Sequence, residues 1–557
     1  MIGVISKTSE EEIIREFFQL FKIRWEFYSS NRSYDVVLST RNEIPELTPK
    51  LLVIYSSETG SFDSQKGIGL GSRYRDLILE RDDLEFPIYG NILTFDRLHK
   101  SVIRAKGMSG PAAIEIEEPE AKLARIGYDL FSEVSFLLSS GQPAEYAHIP
   151  TLEIHISILR NFILDAGVPL LEIPPVPAGY DFITCLTHDV DFAGIRNHKF
   201  DHTMFGFIYR ALFGSFIRVL KRKTSWDKLL KNWKAVLLLP AVYLRIVRDF
   251  WLQFDRYLEI EKDLASTFFL IPFKNRAGNN TSGYAPKRRA ARYDVCDIEP
   301  DVRRLISCGC EVGLHGIDAW HDSEKGRKEF ERIFDVVGES NVGIRMHWLY
   351  FCNHSPRLLE TAGFSYDSTF GYNDAIGYRG GTVQVFRPLG AKELLELSLH
   401  IQDTALFYPD RMGLTGSEAD ELVNQLLKNT TMFGGVLVIN WHQRSLGPER
   451  LWDDFYITLL KKLKALNVWF STASDAVEWF NKRRAVSFQN AEFDGNTVKL
   501  RLGGYKSDHR PGLLVRIYKP DATFKDVALS GINKSAGAEN SALKVRRDGS
   551  IWRINSV

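Results

Sequence analysis

The fold is decided by residues 182–191, whose sequence is FITCLTHDVD. The apolar first half is typical of a buried strand, and Asp189 and Asp191 stand where that strand should end. Residues two positions apart in an extended chain face the same side, so both carboxylates can point into one cavity. Close carboxylates repel unless a cation or a proton lies between them, which suits a metal site with a base beside it. The alternative is a turn after the strand, because Asp is common in turns.

Size and charge narrow the class of protein. The 557 residues predict more than one domain, and the 44% apolar content is ordinary for a folded soluble protein. Since 71 Lys and Arg residues balance 70 acids, we expect no nucleic-acid partner. The five cysteines are few and odd in number, which predicts reduced thiols. Neither a secretory signal nor a run of about 20 apolar residues is visible, so a cytoplasmic protein is expected.

Strands and helices alternate from residue 180 onward. Helical patterns, for example at residues 327–337 and 418–427, lie between most of the short apolar runs. This alternation predicts a parallel sheet, open or closed into a distorted (β/α) barrel. The predicted strands are residues 182–187, 266–271, 310–314, 342–346, 365–369, 395–399, 435–441 and 468–471.

Polar side chains follow several of these strands. Active residues of a barrel gather at the carboxyl ends of its strands. One histidine at a strand end is more often structural than catalytic, but repetition of the placement favours an active site. The residues so placed are Asp189, Asp191, His315, His347, His400, Asp403 and His442.

Two further domains are predicted beside the barrel. Residues 1–172 begin with helical spacing over residues 10–27 and continue with short apolar runs, which predicts a mixed α/β domain. The barrel domain spans residues 178–482 and follows a Pro-rich linker. Residues 483–557 contain apolar runs between Gly, Asn and Asp turns, which predicts a small β-sandwich-like domain.

A basic helical insertion is predicted over residues 201–263, between the first two barrel strands. A basic amphipathic helix can make peripheral contact with a membrane or bind an anionic partner. The favoured interpretation is a helical cap with solvated charges, since solvated basic faces are common. The basic residues are Arg218, Lys221, Arg222, Lys223, Lys228, Lys231 and Lys234.

Residues 180–480 resemble the polysaccharide deacetylase family, also called carbohydrate esterase family four or the nodulation-factor-deacetylase-like proteins. The family's first motif holds a base Asp and a metal-ligating Asp, which implies that Asp189 is the base and Asp191 a ligand. The loops at residues 366–372 and 377–382 resemble a bacterial branch with an extra N-terminal domain. The resemblance implies a (β/α) barrel that removes N- or O-acetyl groups from glycans with a divalent metal.

The second and third family motifs depart from the usual pattern. The second motif implies His315 as a ligand, but Ala319 stands where its second histidine should be. The third motif has His347 in place of proline, and we infer that His347 replaces the missing ligand; His321 and Asp318 are the alternatives. The same motif implies that Arg345 orients the base and that Trp348 lines the pocket.

The last motif, Ile439-Asn440-Trp441-His442, implies His442 as the general acid. The candidate substrate-binding residues are Trp348, Asp367, Arg379, Asp403 and Trp441. Two nitrogens and one carboxylate with an open position suit Zn²⁺, with Co²⁺, Ni²⁺ or Fe²⁺ as further candidates. The expected substrate is an acetylated glycan or amino sugar, handled in the cytoplasm or near the membrane. The alternative function is a catalytically inactive glycan-binding or scaffold protein.

Overall fold

The computed structural model describes the chain except residues 42, 46, 120, 223, 495, 496, 522, 530–541, 549, 550 and 557. Two compact units are present. The first comprises residues 1–179, 380–389 and 479–557, and the second comprises residues 180–379 and 390–478. The predicted N-terminal and C-terminal domains therefore contribute to one unit, and the division into three domains stays a prediction.

The N-terminal part of the first unit is a mixed α/β structure. Its helices are α1 (Glu11–Leu20), α2 (Ser61–Gln65), α3 (Leu130–Ser139) and α4 (Thr151–Asp165). Its strands are β1 (Ile2–Ile5), β2 (Trp25–Phe27), β3 (Val36–Ser39), β4 (Leu51–Tyr55), β5 (Leu70–Arg81), β6 (Leu84–Phe95), β7 (Lys100–Ala105), β8 (Pro111–Glu117), β9 (Lys122–Ile126) and β10 (Leu170–Glu172).

Nine of these strands form one sheet, in the order β2-β1-β3-β4-β9-β8-β7-β5-β6. The predicted helix over residues 10–27 is too long. Helix α1 ends at Leu20, and Trp25 pairs with Ile2 in the parallel β1–β2 ladder. An apolar aromatic stretch fits a strand as well as a helix, so periodicity alone did not separate the two.

The second unit holds the predicted barrel. Its strands are β11 (Phe182–Val190), β12 (Ser266–Leu270), β13 (Asn279–Asn280), β14 (Gly283–Tyr284), β15 (Glu311–Gly316), β16 (Gly343–Met346), β17 (Tyr366–Asp367), β18 (Leu395–Glu396), β19 (Ile401–Gln402), β20 (Val436–Asn440) and β21 (Val468–Phe470). Its helices are α5 (His202–Tyr209), α6 (Ser215–Leu220), α7 (Trp226–Tyr243), α8 (Phe254–Ile260), α9 (Glu299–Ser307), α10 (Ser323–Val337), α11 (Ser355–Ala362), α12 (Asp403–Phe407), α13 (Gly416–Phe433), α14 (Asp453–Lys464) and α15 (Ala473–Ala485), the last extending into residues of the first unit.

The main sheet of this unit is parallel and curled. Its order is β18-β17-β16-β15-β12-β11-β20-β19, and β21 also pairs with β11. The edge strands β18 and β19 are separated by only four residues of chain. Within that segment Leu397 N–H donates to Asp367 O, and His400 N–H donates to Val438 O. The segment therefore joins the two edges, which confirms the predicted distorted (β/α) barrel.

Strand β11 is the centre of the sheet because all nine of its residues are buried. It pairs with β12 on one side and β20 on the other, all in parallel. The strand extends to Val190, so Asp189 lies within it and Asp191 directly follows. The turn interpretation of this acidic pair is therefore wrong for Asp189.

The insertion between β11 and β12 is helical, as predicted. Helices α5 and α6 are continuous through one π-helical turn at Arg210–Gly214, and α7 follows. Their inner faces pack around Trp251. Among the described helices, only the span His202–Leu220 is long and apolar enough to cross a membrane, and one third of it is buried. Lys223, one of the predicted basic residues, lies outside the described part of the chain.

The C-terminal residues form β strands, and the β-sandwich-like domain stays a prediction. The strands are β22 (Ser487–Asp494), β23 (Thr497–Gly503), β24 (Leu514–Tyr518), β25 (Phe524–Ala528), β26 (Ala542–Asp548) and β27 (Ile551–Ser556). Strands β22-β23-β26-β27 form one antiparallel sheet. A second sheet has the order β10-β24-β25, so a strand that precedes the barrel in sequence completes it.

Candidate metal centre and active site

Three potential ligands converge at the carboxyl ends of neighbouring strands. Asp191 follows β11, His315 lies in β15 and His347 follows β16. Asp191 Oδ1 is 3.2 Å from His315 Nε2 and 3.2 Å from His347 Nδ1. The two imidazole nitrogens are 2.9 Å apart. The three ligand atoms are therefore close enough to share one ion.

The outer nitrogens of both imidazoles face backbone carbonyls. His315 Nδ1 is 3.0 Å from Arg345 O, and His347 Nε2 is 3.1 Å from Arg289 O. A carbonyl only accepts, so each of these nitrogens carries the proton and the two facing nitrogens present lone pairs. Asp191 Oδ1 is buried and receives no hydrogen bond from the described residues. Three converging acceptors can share one cation, and two nitrogens with one carboxylate suit Zn²⁺ or a similar divalent ion.

The local electrostatics hold the ligands in their binding forms. Burial alone would raise the pKa of Asp191, but His347 and His315 hold it well below its usual value. Burial lowers the pKa of His347 to about 4, against the opposing pull of Asp191. Near neutral pH the carboxylate is thus charged and the His347 imidazole is neutral, and these are the forms that ligate metals.

The structure brings His347, and not the alternative residues, to this cluster. Ala319 is fully buried. His321 Nε2 lies 3.1 Å from Asp318 Oδ1, so the two alternatives are hydrogen-bonded to each other. Asp318 Oδ1 also accepts from the Asn279 N–H. The geometry therefore supports the inference that His347 occupies the role of the missing second histidine.

Asp189 lies beside the cluster and is held by two side chains. Its Oδ1 is 3.0 Å from the Arg345 guanidinium, and its Oδ2 accepts from Asn440 Nδ2 at 2.8 Å. Asn440 also accepts from the Asp189 N–H. Burial opposes ionisation, but the nearby Arg345 charge brings the pKa of Asp189 below its usual value. Asp189 is therefore an ionised carboxylate at neutral pH.

Arg345 is fully buried, and each of its three guanidinium nitrogens donates at least one hydrogen bond. Besides Asp189 it donates to Thr187 Oγ1 at 2.8 Å and to the Ser368 carbonyl and hydroxyl at 3.0 and 2.8 Å. Thr187, Ser368 and Asn440 were not predicted as site residues. Thr187 and Asn440 stand within the first and last family motifs, which was the signal available in the sequence.

His442 approaches the same cluster from the end of β20. Its Nδ1 is 2.6 Å from Asp403 Oδ1, and its backbone N–H donates to Asp403 Oδ2 at 2.8 Å. Its Nε2 is 3.8 Å from Asp191 Oδ2. Burial alone would lower the pKa of His442, but Asp403 and then Asp191 and Asp189 raise it above its usual value. His442 can therefore hold a proton on the nitrogen that faces the cluster.

The five candidate substrate-binding residues differ in how far their side chains are buried. Trp348 is half-buried, next to His347, with a left-handed φ of 63°. Arg379 is half-buried and donates to Gly371 O. Asp403 is fully buried and engaged with His442, so it positions that residue and does not contact substrate directly.

Two of these candidates lie in the interior. Trp441 is fully buried and stacks on Tyr456, with ring centroids 5.0 Å apart. Asp367 is fully buried, bonds to Thr369 and adjoins Glu396, and burial raises its pKa to about 6. Both side chains lie in the interior rather than on an accessible surface, so their role in substrate binding stays a prediction that this burial does not favour. The sequence shows their polarity or aromatic character but not the direction in which they point.

Comparison with known proteins gives structural similarity only. No family model and no curated protein matches the chain. The solved structure of Agd3, a carbohydrate deacetylase, has 10% identity and a TM-score of 0.36 and covers 100% of this chain and 99% of its own.

Two further solved structures cover smaller parts of the chain. The polysaccharide deacetylase Bc1974 from Bacillus cereus has 16% identity and a TM-score of 0.20 and covers 41% of this chain and 86% of its own. Puue Allantoinase has 16% identity and a TM-score of 0.32 and covers 55% and 93%.

The chain resembles solved polysaccharide deacetylases. All of these TM-scores are below 0.5, so the barrel is assigned here from strand order and the centre from side-chain geometry. Membership of a bacterial branch stays a prediction.

Proposed function

We propose that this protein is a metal-dependent hydrolase that removes N- or O-linked acetyl groups from a glycan or a glycan precursor. One observation carries the proposal. The three converging acceptors Asp191, His315 and His347 lie next to an ionised carboxylate, Asp189, and near an imidazole, His442, whose pKa is raised. A metal site with a general base and a general acid beside it provides the catalytic groups that metal-dependent amide or ester hydrolysis requires.

Asp191, His315 and His347 would hold the divalent ion, which when bound supplies Lewis-acid polarisation of a carbonyl and of water. Asp189 accepts the proton of the attacking water. Arg345 keeps that carboxylate ionised and fixes its direction through the 3.0 Å contact. His442 delivers a proton from Nε2 to the departing amine or alcohol, because Asp403 occupies its Nδ1.

The substrate side is proposed from two half-buried residues: Trp348, directly after His347, and Arg379, which donates to Gly371 O. Trp348 and Arg379 offer an aromatic face and a cation, which suit a sugar ring and its polar substituents. Zn²⁺ is the preferred ion, with Co²⁺, Ni²⁺ and Fe²⁺ as candidates. The substrate class is an acetylated glycan or amino sugar, handled in the cytoplasm or close to a membrane.

The deciding experiment combines metal analysis with acetate release. The protein is loaded with Zn²⁺, dialysed, and incubated with a panel of N-acetylated and O-acetylated sugar oligomers. We expect about one equivalent of metal and release of acetate, with both lost in Asp191→Ala. Retention of metal by Asp191→Ala would contradict the ligand set. Full metal occupancy with no acetate release from any member of the panel would favour the alternative, a catalytically inactive glycan-binding protein.

A further inference from the structure

The helical insertion concentrates the exposed apolar side chains of the molecule. Of the 22 large apolar side chains that are exposed in the described part of the chain, 13 lie between Phe200 and Ile246. Leu237 is 81% exposed and Ile246 is 75% exposed. A soluble surface rarely groups so many large apolar side chains, and such patches mark sites of interaction.

On the first helix these side chains form one stripe. They recur at intervals of three or four residues, so they share one face of the continuous helix α5–α6. The opposite face, which includes Phe207 and Ala211, is buried against Leu239 and Trp251. The helix is thus apolar on two sides, one packed and one bare. The bare stripe consists of Phe205, Tyr209, Phe213, Phe216 and Leu220.

Helix α7 repeats the arrangement. Its inner face, including Leu229, Ala235 and Val242, is buried. Its outer face carries a second stripe at the same three- and four-residue spacing, with a seven-residue step to its last member. The stripe consists of Trp226, Leu230, Trp233, Leu237 and Leu244. Two adjacent helices therefore both present apolar and aromatic side chains outward.

The same segment is strongly basic. Residues 202–248 contain ten Lys and Arg residues and one acid, Asp227. Lys221, Arg222, Lys231 and Lys234 are exposed, and none has an acidic partner within 4.0 Å among the described ion pairs. The charge of these four residues therefore accompanies the apolar stripes and is not paired with an acid in the described part of the chain, whereas Arg210, Lys228 and Arg248 do have acidic partners.

We propose that this insertion docks the protein on the surface of an anionic lipid bilayer, with α5–α6 and α7 lying in the plane of the interface. Apolar and aromatic side chains enter the boundary between headgroups and acyl chains, while Lys and Arg contact anionic headgroups. The helix does not span the bilayer, because its other face is packed against Trp251. A second copy of the chain is a poorer occupant, since it would bring two such basic surfaces together.

The insertion is tied to the candidate active site. Asn232 Oδ1 accepts from the Glu449 N–H at 2.6 Å, and Arg210 pairs with Glu449 at 2.7 Å. The Arg444 guanidinium lies 3.6 Å from the Trp251 ring centroid. Residues 444–449 directly follow the proposed acid His442 in sequence. Bilayer docking would therefore suit a substrate presented at a membrane surface. This consequence rests on the proposed function, whereas the proposal that the insertion binds lipid does not depend on it.

The test is co-sedimentation of the full chain with vesicles, measured without any substrate. Vesicles of phosphatidylcholine alone are compared with vesicles containing 30% phosphatidylglycerol. We expect at least tenfold more bound protein on the anionic vesicles. Binding should fall at least tenfold in Leu237→Asp/Leu244→Asp and in Lys231→Glu/Lys234→Glu. The matched controls are Leu98→Asp, at a 77% exposed apolar position outside the insertion, and Lys428→Glu, at an exposed position on α13; both should bind as the wild type does.

Each other outcome overturns the proposal. Equal binding to both vesicle types would show that anionic lipid is not the partner. Unchanged binding by the insertion variants would show that the insertion is not the docking surface. The wild type could instead be a dimer that does not bind vesicles and that becomes monomeric in Leu237→Asp/Leu244→Asp. That result would show that the apolar stripes form an interface with a second copy of the chain. Circular dichroism of each variant shows whether it is folded, and acetate release, if present, should be unaffected by these changes in the absence of membranes.

Discussion

Asp189 and Asp191 lie two positions apart but have different surroundings. Arg345 and Asn440 occupy both oxygens of Asp189, whereas Asp191 faces two imidazoles. We predict that Asp189→Asn lowers kcat by about 10²–10⁴-fold, the usual effect of losing a general base. Metal content should stay near one equivalent because the three ligands are unchanged. Unchanged turnover would remove Asp189 from the mechanism; Asp410→Asn, at an exposed position, is the control.

In the proposed mechanism, the pair His442–Asp403 sets the alkaline limit of activity. That mechanism requires protonated His442, and Asp403 raises the pKa of His442 above its usual value, so activity should persist above the ordinary histidine pKa of about 6.5. In Asp403→Asn the alkaline limb of kcat should move to lower pH. The acidic limb, set by Asp189 with its lowered pKa, should stay in place. A pH profile with an unmoved alkaline limb would show that His442 is not the group that titrates.

At the scale of elements, the ends of β15 and β16 supply two of the three residues of the proposed metal site. His315 and Arg345 are register partners in these strands, and His347 follows two residues later. We predict that His347→Ala lowers metal affinity by more than the about 10–100-fold that an outer-shell change costs. His321→Ala should bind metal as the wild type does, because His321 pairs with Asp318. The reverse pattern in metal titrations would reassign the third ligand.

Much of the barrel was predictable from local pattern. Each predicted strand is found, because apolar runs between helices must be buried. The predicted strand at residues 395–399 is shorter than expected, since β18 ends at Glu396 and the next strand, β19, begins only at Ile401. The irregular residues between them close the sheet through hydrogen bonds to two different strands. Such closure depends on partners far away in sequence, so no local pattern reports it.

At the scale of the whole molecule, buried titratable groups govern stability against acid. His155 in α4 is fully buried, shares a 3.1 Å hydrogen bond between its Nδ1 and the Tyr128 hydroxyl, and has its pKa lowered to about 3 by burial. The unfolded chain binds this proton below about pH 6.5 and the folded chain does not. The contribution of His155 to the free energy of unfolding is therefore fully present above that pH. It is lost as the pH falls towards 3, at up to about 1.4 kcal/mol per pH unit.

We predict that His155→Gln reduces this loss between pH 6.5 and 4, as measured by urea unfolding. The exposed His509→Gln variant is the control and should follow the wild type. Burial raises the pKa values of Glu133 and Glu153 to about 7. These two residues act in the opposite direction, because their contribution to the stability of the folded protein is lost as the pH rises through 7. A His155→Gln curve parallel to that of the wild type would show that His155 is charged or exposed in the folded protein.

The sequence by itself determined the parallel strand–helix alternation, the acidic pair that follows the central strand, and the strand ends at which His315, His347 and His442 stand. These features depend on periodicity and on residue type, which are local. Only the tertiary structure decided that His347 lies beside Asp191 and His315 while His321 pairs with Asp318, that Trp441 and Asp367 point inward, and that two apolar stripes of the insertion face outward. Direction and proximity come from packing between distant segments, and a linear pattern does not contain them.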